Sequence, residues 1–185
     1  VKGEHYETDI LKRSNPYSAA KASADMLVLA WARTYDIEYN ILRPTNNYGI
    51  GQYPEKLIPL SVKQLMRGKK IRLHNQVTPI RNWLHASDTA DAVLCILDAD
   101  KRNEIFNVGG GFEQSNLDTV NKIITAYYGQ VDTSCYIDFS YSREGQDVRY
   151  ALNDDKLRSL LGSPQVQCDK EIKSIVDYYK TKFIW

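Results

Sequence analysis

Residues 14–44 read SNPYSAAKASADMLVLAWARTYDIEYNILRP, and the change of period within this stretch decides the fold class. Ser14-Asn15-Pro16 supplies a helix cap and a proline whose fixed φ suits a first helical turn. Tyr17 to Thr34 then runs on good helix formers, with an apolar stripe at Ala20, Ala24, Leu27, Val28 and Trp31. After a link of three to four residues, Glu38 to Arg43 takes up a short strand pattern that Pro44 is expected to stop. A helix feeding a strand over so short a link is part of a βαβ crossover. The chain is therefore expected to be α/β, neither a helix bundle nor a sandwich.

The alternation continues outward from there. Pro44 to Pro54 is read as a loop, rich enough in amides, glycines and tyrosines to be a site. Glu55 to Arg67 reads as a helix stopped by Gly68, and Lys69 to Leu73 as a basic, strand-like run. Ser87-Asp88 caps a further helix through Ala99, with Ala90, Val93, Leu94 and Leu97 on one face. Ile105 to Val108 is a buried type of strand ending in Gly109-Gly110-Gly111. Asn116 caps a helix from Leu117 to Tyr128, and Cys135 to Phe139 suits one more strand. Asn153-Asp154 opens a helix closed by Gly162, and Lys170 to Phe183 is a last amphipathic helix.

Composition narrows the function classes. The 185 residues suit one domain, with room for a lobe. With 24 Lys and Arg against 23 Asp and Glu, the formal charge is +1, so no global field draws a polyanion and nucleic-acid binding is disfavoured. The longest apolar run, Met26 to Ala32, is far short of the ~20 residues that cross a bilayer, so no membrane span is expected. Cys95, Cys135 and Cys168 form no Cys-x-x-Cys pair, which argues against a disulfide framework or a zinc site and fits a reducing, cytoplasmic compartment. His5, His74 and His85 do not cluster, so no metal is expected. The chain opens at Val1 with no leader pattern and reads as a piece of a longer protein.

Three groups of residues have chemistry to offer. Tyr17 and Lys21 stand at i and i+4, one turn apart on one helix face. A neighbouring cation favours phenolate over phenol, which suits a general base, although the same spacing also arises as an ordinary surface pair. Asn46-Asn47-Tyr48-Gly49 follows a strand and a proline, where side-chain amides can bond a carboxamide, a hydroxyl or a phosphate oxygen, or merely build a turn. Lys56, Arg72, Arg81 and Arg143 flank loops and strand ends, where guanidinium forks suit a pyrophosphate. Arg81, between Ile80 and Trp83, sits in an apolar context that favours an anionic partner.

Taken in order, Asn15-Pro16-Tyr17-Ser18-Ala19-Ala20-Lys21, Arg43-Pro44-Thr45-Asn46-Asn47-Tyr48-Gly49 and Pro54-Glu55-Lys56-Leu57-Ile58-Pro59 resemble the nucleotide-sugar 4,6-dehydratases of the extended short-chain dehydrogenase/reductase family. Later blocks keep the family's order: Arg81-Asn82-Trp83-Leu84, Asp88 before a helix, Phe106-Asn107-Val108-Gly109-Gly110, and Arg143 to Tyr150. The resemblance covers essentially the whole chain. It implies the C-terminal part of a Rossmann-type, doubly wound parallel sheet plus a smaller α/β substrate-binding lobe. Residues 1–47 would complete the cofactor domain and 48–185 form the lobe, with 87–108 returning to the Rossmann sheet.

The resemblance further implies NAD as cofactor and dTDP- or UDP-glucose as substrate. Tyr17 would be the base at the hexose 4-hydroxyl, and Lys21 would hold the nicotinamide ribose. Asn47 would meet the cofactor and Asn46 the substrate. Lys56, Leu57, Arg72, Leu73, His74, Arg81, Asn116, Arg143 and Gln146 would line the nucleotide-diphosphate pocket. The family pairs the helix at 17–34 with its symmetry mate, implying a homodimer. Its elimination pair, Asp-Glu after a Thr, and its glycine-rich NAD loop fall outside this sequence. The isolated chain is thus expected to be inactive. The alternatives are a related epimerase or decarboxylase, sharing Tyr17 and Lys21, or a non-catalytic nucleotide-sugar binding module.

Overall fold

The computed structural model describes residues 3–11, 15–74, 79–141, 149, 151–164, 166 and 168–182. Helix α1 (Pro16–Tyr35) begins at a capping box: Asn15 Oδ1 accepts the Ser18 amide at 2.9 Å, and Ser18 Oγ accepts the Asn15 amide at 3.3 Å. It ends where Asp36 turns left-handed at φ 53°. The chain then enters β1 (Asn40–Pro44), which pairs in parallel with β5 (Glu104–Val108), Asn40 opposite Glu104 and Pro44 opposite Val108. Pro44 was expected to stop the strand, yet it lies within the ladder. In a parallel ladder the bonds to Val108 come from the residues on either side of Pro44, the Thr45 amide reaching the Val108 carbonyl at 2.9 Å, so the missing N–H costs no ladder bond.

Residues 46–48, read as loop, form a three-residue strand, β2 (Asn46–Tyr48). It joins β4 (Ile80–His85) in parallel, and β4 joins β6 (Glu113–Ser115) antiparallel, giving the order β2-β4-β6. A separate parallel pair is made by β3 (Ile71–His74) and β7 (Ile137–Tyr141), the latter preceded by a 3-10 turn at Thr133–Tyr136. The remaining helices are α2 (Leu57–Met66), α3 (Ala86–Asp98), α4 (Asn116–Tyr128), α5 (Asp155–Leu161) and α6 (Cys168–Thr181).

Two corrections concern caps. Helix α4 is capped by Ser115, whose side chain accepts the Asp118 amide at 3.0 Å, and Asn116 is already its first helical residue. Helix α3 is capped by His85, whose Nδ1 accepts the Ser87 amide at 3.2 Å, two residues before the expected Ser87-Asp88.

Strand β4 divides the interior, because alternate side chains leave a strand on opposite faces. Trp83 enters a large core with Ile58, Val62, Ile71, Val120, Ile123, Ile175 and Val176, drawn from α2, β3, α4 and α6. Leu84 enters a smaller one with Ala92, Ile96, Phe106, Val108 and Leu157, beneath α3 and α5. The face of α3 expected to pack is the wrong one. Ala92, Ile96 and Asp88 are buried, whereas Leu94 is 58% exposed and Val93 and Leu97 are also exposed. Asp88 can be buried because its Oδ2 accepts the Val166 amide at 3.2 Å. On α1 only Ser18 is buried, and the stripe through Leu27, Val28 and Trp31 lies open among the described residues.

Candidate functional site at the carboxyl end of the first strand

Only residues 36–39 separate α1 from β1, so the helix runs back along its strand and its N-terminus lies near the strand's carboxyl end. The short link and the β1-β5 ladder set that register, and an ion pair marks where the two elements cross. Arg43 Nε donates to Asp25 Oδ2 at 2.8 Å, and Arg43 NH1 donates to the Glu7 carbonyl at 3.0 Å. From Asp25 back to Tyr17 is about 12 Å at 1.5 Å per helical residue. From Arg43 forward to Asn46 and Asn47 is about 10–13 Å of extended chain. Counted along each element, Tyr17 thus lies about as far beyond the ion pair as Asn46 and Asn47, with Lys21 one turn short of it, toward the carboxyl end of a parallel strand, where open α/β sheets hold ligands.

Tyr17, in the first turn of α1, is 75% exposed, and Lys21 is exposed one turn further along the same face. Asn46 is exposed, while Asn47 is half-buried and held at three points. Its Oδ1 accepts the Thr89 hydroxyl at 2.6 Å, its carbonyl accepts Gln52 Nε2 at 2.7 Å, and its strand pairs with β4 opposite Leu84. With Oδ1 taken by Thr89, the amide NH2 is the group left to face a ligand. The 49–52 turn is tied down in its own right, since the buried Tyr179 hydroxyl donates to the Gln52 carbonyl at 2.9 Å.

The other expected residues distribute as follows. Lys56 occupies the cap position of α2, exposed beside Glu55 at 3.1 Å, and Leu57 is the first helical residue. Arg81 sits on β4 opposite Gln114, its NH1 donating to the Ile80 carbonyl at 2.8 Å, and Asn116 follows β6, its amide on the Pro79 carbonyl at 3.1 Å. The β2-β4-β6 sheet thus joins Asn46, Asn47, Arg81 and Asn116. Arg72 is exposed on the separate β3-β7 ladder, opposite Asp138. Leu73 is buried in the large core, which closes its side chain to a ligand. His74 ends β3, and Arg143 and Gln146 lie outside the described residues.

Buried groups nearby are scaffold. Tyr48 packs edge-on to both Trp83 and His85, with ring centroids 6.1 and 5.1 Å away. Burial raises its phenol well above the ordinary range, and burial pushes the Cys168 thiol up to about 11. Both stay neutral near pH 7, so neither offers a nucleophile. Sequence reasoning missed Thr89, Gln52 and the Asp25–Arg43 pair. Of these only Gln52, inside the polar 44–54 stretch, carried a local signal.

A helix presenting Tyr17 and Lys21 that feeds a parallel strand, with paired asparagines just after that strand, is the architecture of a Rossmann-type enzyme. The chain belongs to the NAD dependent epimerase/dehydratase family, whose pattern matches residues 2–109. It is 36% identical over 177 residues to the low-salt glycan biosynthesis protein Agl12 of Haloferax volcanii, covering 96% of this chain and 56% of that protein. It is 37% identical over 171 residues to a dTDP-glucose 4,6-dehydratase of Streptomyces niveus, covering 92% of this chain and 50% of that one. Among solved structures, DesIV, a dTDP-glucose 4,6-dehydratase from Streptomyces venezuelae with NAD and TYD bound, superposes with a TM-score of 0.91 at 31% identity, over 98% of this chain and 56% of that chain. This chain therefore spans about half the length of the relatives it matches, and its fold is the C-terminal part of theirs. The family's cofactor is NAD.

Proposed function

We propose that the chain is the C-terminal part of an NAD-dependent nucleotide-sugar 4,6-dehydratase, acting on dTDP- or UDP-glucose. The observation that carries this reading is the Arg43–Asp25 pair, beyond which Tyr17 on α1 and Asn46 and Asn47 after β1 lie at about equal distances along their elements. These residue types suit the nicotinamide-ribose end of NAD: a phenol, an ammonium and an amide NH2 on the elements that flank the carboxyl end of a Rossmann-type strand, where such sheets hold their ligand. Bound NAD would supply hydride-accepting and hydride-donating chemistry beside the sugar. Tyr17 takes the proton of the 4-hydroxyl, and Lys21 bonds the ribose. Asn47 donates to the cofactor and Asn46 bonds the sugar. Residues 1–47 serve the cofactor domain and 48–185 the substrate lobe, with 87–108 returning to the sheet, a division supported by the pairing of β5 with β1.

The diphosphate falls to the cationic residues of the lobe. Lys56→Ala and Arg81→Ala are each expected to remove a charge-assisted bond of about 1.5–3 kcal/mol, weakening dTDP or UDP binding roughly ten- to hundred-fold. Titration calorimetry on the whole gene product measures this, and unchanged affinity in both variants removes them from the pocket. Activity is tested by mass spectrometry of the nucleotide sugar after incubation with the whole gene product and NAD. A dehydratase yields a 4-keto-6-deoxy product lighter by one water. An epimer of unchanged mass would make it an epimerase.

Helix α1 carries Met26, Leu27 and Trp31 exposed on more than one face, so a sheet covering one face leaves apolar surface over. A two-fold dimer through this helix is expected, as is a dimer mass by sedimentation at micromolar concentration. A monomer at high micromolar concentration would contradict it.

A further inference from the structure

Asp25 follows Lys21 by four residues, which makes it the ammonium's nearest potential partner on the helix surface. The order Lys then Asp is the weaker of the two i,i+4 arrangements but still attractive. The two nevertheless do not pair. No described carboxylate lies within 4.0 Å of Lys21, whereas Asp25 is held by Arg43 Nε at 2.8 Å, both side chains only 18% exposed. Arg43 is itself locked, because its second nitrogen donates to the Glu7 carbonyl and its strand is bonded to β5. The charged groups facing this side of α1 among the described residues are Lys21 and Asp25 on the helix, Arg43 from β1 and Glu7 from the N-terminal segment. The Glu7 carboxylate is engaged by the Asn107 amide at 2.9 Å.

We infer that Arg43 is a positioning residue for Lys21: by capturing Asp25 it keeps that carboxylate off the Lys21 ammonium, leaving the charge for Tyr17 and for the nicotinamide ribose. This rests on the role proposed above for Lys21. A planar fork suits the task better than an ammonium would, since one nitrogen meets the carboxylate while another anchors to main chain. Had the pair served only to fasten the helix, loss of either partner would have the same consequence. The inference separates the two partners. Arg43→Gln frees a competitor for Lys21, while Asp25→Asn removes that competitor.

The test uses the whole gene product with Arg43→Gln, Asp25→Asn and the double variant. For Arg43→Gln, the acidic limb of the kcat/KM profile is expected to move up by about one pH unit, the lower end of what a charge 4–6 Å away does. NAD should bind several-fold more weakly. Asp25→Asn leaves the limb in place, and adding it to Arg43→Gln brings the limb back. Equal shifts in both single variants, or no return in the double variant, would overturn the inference in favour of a fastening role. A crystal structure of the Arg43→Gln protein decides independently of activity: Lys21 Nζ within 4 Å of the Asp25 carboxylate is expected, and a Lys21 that stays apart overturns it. Absence of turnover in the unsubstituted protein would count against the dehydratase reading and leave that structural result to judge Arg43.

Discussion

In the whole gene product, Tyr17→Phe is expected to lower kcat by about 10²–10⁴-fold, the usual contribution of a general base. The substitution deletes only the hydroxyl. The ring sits in the first turn of α1, 75% exposed, so neither the capping box nor a core contact depends on it. Substrate affinity should shift by less than about ten-fold, because Asn46 and the lobe's cations are untouched; a loss in kcat without a rise in KM marks an interaction made in the transition state. Lys21→Ala should hurt both turnover and NAD retention, since the ammonium serves the phenolate and the ribose together. If Tyr17→Phe kept full turnover, the base would lie elsewhere.

Gly110→Ala is expected to be the most destabilising single-methyl substitution in the 109–111 run, at about 3 kcal/mol or more. A Cβ on Gly110 would stand 1.7 Å from the Trp83 carbonyl oxygen and 2.4 Å from its carbon. These are main-chain atoms of β4, the strand shared by both cores, and they cannot swing aside. The Gly110 amide also donates to Asn82 Oδ1 at 2.7 Å, which accepts the Thr45 hydroxyl at 3.2 Å. Moving Gly110 away therefore breaks the bond that ties the segment after β5 to β4 and leaves Asn82 Oδ1 with Thr45 alone. At Gly109 the added Cβ meets only the Asp154 carboxylate, at 2.8 Å, a side-chain tip that can yield. Chemical denaturation should rank Gly110→Ala well below Gly109→Ala in stability. Equal effects would mean that β4 adapts.

The helical half of the fold was open to sequence reading because its signals are local. Asn15, Ser18 and Pro16 mark the start of α1 within four residues, and Gly162 closes α5 as expected. Strand β2 escaped because three residues show no period, and Asn-Asn-Tyr-Gly is equally good turn chemistry. The buried face of α3 escaped for another reason. Val93, Leu94 and Leu97 are more apolar than Asp88 and Ala92, but Asp88 is satisfied by a main-chain amide 78 residues away, which no pattern reveals. In the site, the residue types were legible and the supports were not. Thr89 reaches Asn47 across 42 positions and Arg43 reaches Asp25 across 18, both long-range consequences of the crossover. The run of three glycines was legible as a strand end, whereas the close approach of Gly110 to β4 depends on a strand some 27 positions earlier and left no local mark.

The most direct measurement follows one atom. The whole gene product is given NAD and dTDP-glucose carrying deuterium on carbon 4, and the product is mapped by NMR. Transfer of the label to carbon 6 of a 4-keto-6-deoxy sugar, with loss of one water, is expected of a dehydratase. Deuterium returned to carbon 4 of an epimer, or no turnover of a nucleotide sugar that binds, would contradict it.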